Sequence, residues 1–149
     1  MQEHGHSALR RGRFSEPGRV YHITTATHHR RPIFTELGPA RTLTQTLYAS
    51  PDQFRTLAHV IMPDHLHWLV QLQQSNLSDA VKTVKSVSSR RISTLAGIEP
   101  PIWQSGFYDH ALRRDEELVQ VARYIVANPI RAGLVSSPRA YSHWDAIWL

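Results

Sequence analysis

A chain of 149 residues, 41% hydrophobic and 19% charged, has the makeup of an ordinary folded domain with enough mass to bury one core. It contains no cysteine, which excludes disulfides, thiolate metal sites and a thiol nucleophile, and no apolar run approaching the ~18 to 20 residues a membrane span needs. Seventeen Lys and Arg against twelve Asp and Glu leave a net charge of +5, which favours polyanionic partners because neutralised phosphates release condensed counterions.

Residues 1–18 carry Gly, Ser, Arg and His without an apolar block, so they read as a mobile basic start and not as a secretory signal. A cytoplasmic protein acting at the nucleoid is the expectation. Residues 19–27, RVYHITTAT, are β-branched and aromatic and predict a strand. Leu37, Ala40, Leu43, Leu47 and Tyr48 carry a helical period over 36–49. Residues 54–62 and 65–72 predict two strands broken at Met62-Pro63-Asp64. A second helix, entered by Ser75-Asn76, has Leu77, Val81, Val84, Ser88, Ile92 and Leu95 on one face. Residues 102–113 look extended. Asp115, Glu116 and Glu117 then open a third helix, expected to run to about Asn128, where Pro129 hinders continuation. The aromatic tail YSHWDAIWL follows. This order predicts one α+β domain over 1–149, with helices packed on a mainly antiparallel sheet.

His65 and His67 sit two apart in the strand HLHWLV, so a period of two puts both imidazoles on one face and Leu66 on the other. Two ligands of one metal need that spacing, although ten histidines in the chain make chance pairs common. Tyr124 and Asn128, four apart, stack on one side of the third helix, at the edge of its buried stripe of Leu118, Val121, Ala122 and Ile125. The plain alternatives are a tyrosine packing at a core rim and an asparagine ending a helix. Chemistry connects the two pairs. A tyrosine hydroxyl, with an ordinary pKa near ~10, is a weak nucleophile at neutral pH. It attacks a phosphodiester if a divalent ion polarises the phosphate. Two histidines and an amide oxygen would leave coordination positions open for phosphate oxygens. The phosphotyrosine so formed keeps the bond energy, so resealing would need no nucleotide.

Candidate DNA contacts are Arg10, Arg11, Arg13 and Arg19 near the start, and Lys82, Lys85 and Arg90 on the second helix. The same helix presents Ser86, Ser89 and Ser93 among its cations, a pattern that a solvated face would also show. Trp103, Phe107, Tyr108, Trp144 and Trp148 are either core or stacking platforms for unpaired bases. Asp109 and His110 look like a hydrogen-bonded pair.

The stretches GRVYHIT (18–24), VIMPDHLHWLV (60–70), VKTVKSVSSR (81–90), IWQSGFYDHALR (102–113) and ARYIVANPIRAGLV (122–135) together span most of the chain. In them the sequence resembles the REP-associated tyrosine transposases, relatives of the single-tyrosine HUH transposases. The combination of MPDHLHWLV with YIVANPIRAG is specific, whereas a lone His-x-His is not. The resemblance implies a ferredoxin-like HUH fold, with His65, His67 and Asn128 binding Mg²⁺ or Mn²⁺ and Tyr124 as nucleophile. It further implies single-stranded DNA with palindromic hairpins as substrate, a 5′-phosphotyrosine intermediate, a monomer (a dimer in the insertion-sequence relatives), and a tail over 138–149 that either modulates the site or simply packs. Two alternatives remain at this point. One is a hairpin-binding module without catalysis; the other is a metal-dependent phosphoesterase that needs no tyrosine.

Overall fold

The computed structural model describes residues 18–113, 115–136 and 141–147, so Arg10, Arg11, Arg13 and Trp148 lie outside the described residues. The elements are β1 (Val20–Ala26), α1 (Leu37–Leu47), β2 (Phe54–Met62), β3 (His65–Leu72), α2 (Leu77–Ala96), β4 (Tyr108–Ala111), α3 (Asp115–Val126), a four-residue helix α4 (Asn128–Arg131) and β5 (Trp144–Ala146). Short 3-10 turns occupy His28–Arg30 and Ile33–Thr35. The five strands form one antiparallel sheet in the order β4-β1-β3-β2-β5. The first four strands with α1 and α2 make the split βαβ arrangement of ferredoxin-like domains. The expected α+β class and antiparallel sheet are therefore observed. Among the described residues no helix is long and apolar enough to cross a membrane.

The central strand β3 is apolar on both faces because a layer covers each. On one face Leu66, Trp68, Val70 and Leu72 join Tyr21 and Ile23 of β1 under α1 and α2, which contribute Leu43, Leu47, Val81 and Ile92. On the other face Leu69 meets Val60 and Met62 of β2 under Ala122, Ile125 and Val126 of α3. Each large apolar side chain buried this way contributes about 1.5–3 kcal/mol. A β-bulge in β2 between Thr56 and Ala58 makes the two faces compatible. Leu57 and Ala58 both lie in the α3 cluster, so the alternation changes phase there. Ahead of the bulge, Thr56 serves the α1 side. Its Oγ1 donates to the Leu47 carbonyl (2.6 Å) and accepts from Trp68 Nε1 (2.9 Å).

Asn76 caps α2 as expected, its Oδ1 accepting from the Asp79 amide (2.8 Å). Gly97 ends that helix in the left-handed region at φ 67°. The predicted buried face of α2 holds from Leu77 to Ile92. Leu95 departs from it and is 70% exposed, because the last turn, residues 94–97, lies beyond the core. Ser88 belongs on that face for a polar reason, since Trp103 Nε1 donates to its hydroxyl (3.0 Å).

The third helix ends close to the expected Asn128. It stops at Val126, and after Ala127 a separate turn begins at Asn128 with Pro129 near its start, where a missing N–H costs little. The chain then returns through Tyr141, whose hydroxyl donates to the Ile61 carbonyl (2.6 Å), into β5 beside β2. Within the tail, Trp144–Ala146 thus packs as an edge strand, and residues 138–140, 148 and 149 lie outside the described residues.

The two-faced strand has a direct stability consequence. Leu66→Ala should cost about 2–5 kcal/mol in urea denaturation. His65→Ala, one residue away on the more open face, should cost under about 1 kcal/mol.

Candidate functional site

Register places the histidines. His67 lies opposite Thr24 of β1 and Val60 of β2, and His65 opposite Ala26 and Met62. Cross-strand partners share a face, so both imidazoles sit on the side of the sheet against which α3 packs. Their rings are 5.0 Å apart, centre to centre, and nearly perpendicular.

Each imidazole is held through Nδ1. His65 Nδ1 is 2.8 Å from Asp64 Oδ1, and Asp64 Oδ2 accepts from Arg30 Nε (2.9 Å). Burial raises the Asp64 carboxyl, but the hydrogen bonds from His65 and Arg30 outweigh it and hold the group below its ordinary value. Arg30 reaches Asp64 from a backbone in the left-handed region, a conformation that His29 before it shares. Thr27 stabilises that turn, its Oγ1 donating to the Arg31 carbonyl (2.7 Å) and its amide to the Asp64 carbonyl (2.9 Å). His67 Nδ1 lies 3.1 Å from His22 Nε2 and 3.3 Å from Thr24 Oγ1. These contacts fix both ring orientations and leave Nε2 of each as the nitrogen available to a ligand.

His22 and His67, both half-buried, are kept neutral. Burial, then the neighbouring His110, lowers His22 to about 4. Burial, then His22, His65 and Arg131, lowers His67 to about 3. Neutral imidazoles are the form that binds a cation.

Helix α3 is tied to the sheet near its start and along its C-terminal half. Glu117 Oε1 is 3.3 Å from His110 Nε2 on β4, and Ala122, Ile125 and Val126 seat the helix on β2. Tyr124 lies outside that contact and is 57% exposed, more open than a tyrosine packed at the core rim would be. Asn128 is half-buried, and its Nδ2 is buried with no hydrogen-bond partner. Such an unmet polar atom is what an absent ligand satisfies, and a half-turn of the amide exchanges nitrogen for oxygen. Two outward nitrogens and one unsatisfied amide therefore suit a divalent ion. Among the described residues no three His, Cys, Asp or Glu side chains converge on a metal, so an ion here would rely on His65, His67 and Asn128.

The other candidates are not gathered at this face. Lys82 and Arg90 are exposed on α2, in the layer across the sheet. Lys85 Nζ donates to the carbonyls of Gln104 and Gly106 and so anchors the loop before β4. Arg19 is half-buried just ahead of β1. Trp103 and Phe107 are core residues, while Tyr108 and Trp144 keep some exposure. Asp109 and His110 do not face one another, since neighbours on a strand alternate, and His110 pairs with Glu117 instead.

Sequence reasoning missed His22, Thr24 and Arg131. The first two act through β1–β3 pairing, which spacing within one strand does not reveal. Arg131 was within reach, because it continues the row Tyr124, Asn128 at the next helical step. Its guanidinium carbon lies 3.8 Å from the centre of the Tyr124 ring, and its Nη2 donates to the Tyr124 carbonyl (2.7 Å).

The family model for IS200-like transposases matches residues 18–128. The chain belongs to that family. It is 31% identical over 93 residues to a provisionally named REP-associated tyrosine transposase of Haemophilus influenzae, covering 55% of this chain and 53% of the relative. It is 27% identical over 84 residues to the REP-associated tyrosine transposase of Escherichia coli, covering 55% and 48%. The chain thus spans about half the length of the curated relatives it matches. The structure of a REP-associated tyrosine transposase bound to a REP hairpin superposes with a TM-score of 0.70 at 22% identity, covering 89% of this chain and 79% of that one. At that identity the likeness establishes the shared fold.

The neutral histidines set a pH dependence. Their folded-state values lie below the ordinary 6.5, so between about 4 and 6.5 the unfolded chain binds protons that the folded chain does not, and stability rises with pH. Without added metal, the urea midpoint should be lower at pH 5 than at pH 7. A His22→Gln, His67→Gln double variant should narrow that difference. What remains belongs largely to His59, which burial also lowers to about 4.

Proposed function

We propose that this chain nicks and rejoins single-stranded DNA carrying REP-type hairpins, with Tyr124 as nucleophile and a 5′-phosphotyrosine as intermediate. The observation that supports this reading is that α3, packed through Ala122, Ile125 and Val126 on the sheet face that also carries His65 and His67, bears an exposed Tyr124 and is followed by Asn128 with an unsatisfied amide, in a member of this transposase family. The relatives' REP association and the hairpin held by the superposed structure support the substrate class.

In cleavage the Tyr124 phenol oxygen forms a new bond to phosphorus and the P–O3′ bond breaks. The phenol gives up its proton and the departing 3′ oxygen gains one, leaving a free hydroxyl end. Attack by a 3′ hydroxyl on the phosphotyrosine reverses the exchange and restores the phenol, so no nucleotide is consumed. His65, His67 and Asn128 would hold a divalent ion, Mg²⁺ or Mn²⁺, which when bound polarises the phosphate and stabilises developing charge. Asp64 and His22 orient the imidazoles, and Arg30 orients Asp64. Because α3 packs on its own chain's sheet, nucleophile and ligands are proposed to act within one monomer.

The first test incubates the chain with a single-stranded REP-hairpin oligonucleotide and Mn²⁺. Wild type should form a covalent adduct, which Tyr124→Phe and chelator should each abolish. An adduct with the Phe variant refutes the assignment, and tight hairpin binding without cleavage under any divalent ion would favour a binding module. Mixing Tyr124→Phe with His67→Ala should restore no cleavage; restoration would mean that helices are exchanged between subunits. Asp64→Asn should weaken Mn²⁺ binding, measured by calorimetry, by about 10- to 100-fold.

A further inference from the structure

The row formed by Tyr124 and Asn128 extends one step further, to Arg131. This arginine makes two contacts with Tyr124: its guanidinium covers the ring at 3.8 Å, and its Nη2 donates to the carbonyl of the same residue at 2.7 Å. Tyr124 is 57% exposed, so little else restrains its ring. An unrestrained tyrosine on a helix surface samples several rotamers, and each unproductive one lowers the fraction poised to react. Arg131 is itself exposed, so the stack forms on the surface of this segment.

Building on the nucleophile reading above, we propose that Arg131 is a positioning residue that holds the Tyr124 ring in one orientation before DNA arrives. A plain helix cap would explain the bond to the carbonyl, because the last carbonyls of α3 lack intrahelical donors. It would not require the guanidinium to sit over the ring centre. Lysine offers charge and a donor but no plane, so at this position it should not replace arginine.

The test uses the full chain and a single-stranded REP-hairpin oligonucleotide with Mn²⁺, comparing Arg131→Met and Arg131→Lys with wild type. Single-turnover cleavage at saturating DNA should fall about tenfold in Arg131→Met. The DNA concentration giving half-maximal rate should change less than about twofold. Arg131→Lys should recover only part of the rate. A second readout needs neither DNA nor metal. In a chain with ¹³C-labelled tyrosine, the Tyr124 ring resonance, identified by its loss in Tyr124→Phe, should move in Arg131→Met toward the position of free tyrosine. Unchanged rate, a loss confined to DNA affinity, or an unmoved ring resonance would each overturn the proposal. If Arg131→Met does not fold, Arg131→Lys supplies the same comparison. If wild type forms no tyrosine adduct, the functional reading fails by itself, and the resonance still decides whether Arg131 holds the ring.

Discussion

Side chains along β3 alternate between two covered faces, and both the core and the site are built on that period. Leu66 and Trp68 point into the layer under α1 and α2, where they are almost wholly buried. His65 and His67 take the opposite face, one residue out of phase. The same strand therefore anchors the domain and presents the imidazoles, and the rigidity of one side is transmitted to the other through the backbone.

Rotational freedom of the imidazoles is removed in two different ways. His65 is held by a carboxylate that is itself held by a guanidinium on a strained turn. His67 is held by a second histidine, a neutral partner supplied by the neighbouring strand. A carboxylate raises the basicity of the ring it holds, and a neutral imidazole does so less. The two nitrogens offered to a ligand are thus unequal in donor strength, although both come from His residues two positions apart.

Much of this was legible from residue order alone. The strands over 54–62 and 65–72 coincide with those observed, because β-branched and aromatic residues there are bounded by a proline turn. The His65–His67 face follows from strand periodicity, and Asn76 from capping chemistry. The Arg30–Asp64 and His22–His67 contacts were not legible, since they depend on residues 34 and 45 positions apart meeting through turn geometry and strand pairing. The bulge in β2 was hidden because the residues at it, Leu57 and Ala58, are both apolar and both buried, so alternation of polar and apolar residues does not mark the phase change. The short helix α4 was not legible because Pro129 is tolerated at the start of a new helical turn, and from sequence it reads simply as a stop.

That bulge bears on how the chain tolerates change in length. Downstream of Leu57, one extra backbone step decides that Val60 and Met62 flank the histidines while His59 and Ile61 face the other layer. Losing a single residue there would exchange these sets and place a buried imidazole, His59, on the same face as His67. Substitution and deletion are consequently unequal forms of change in β2. Many apolar residues can occupy Leu57, but the count of residues across it is fixed by the need to keep two different chemistries on opposite sides of one sheet.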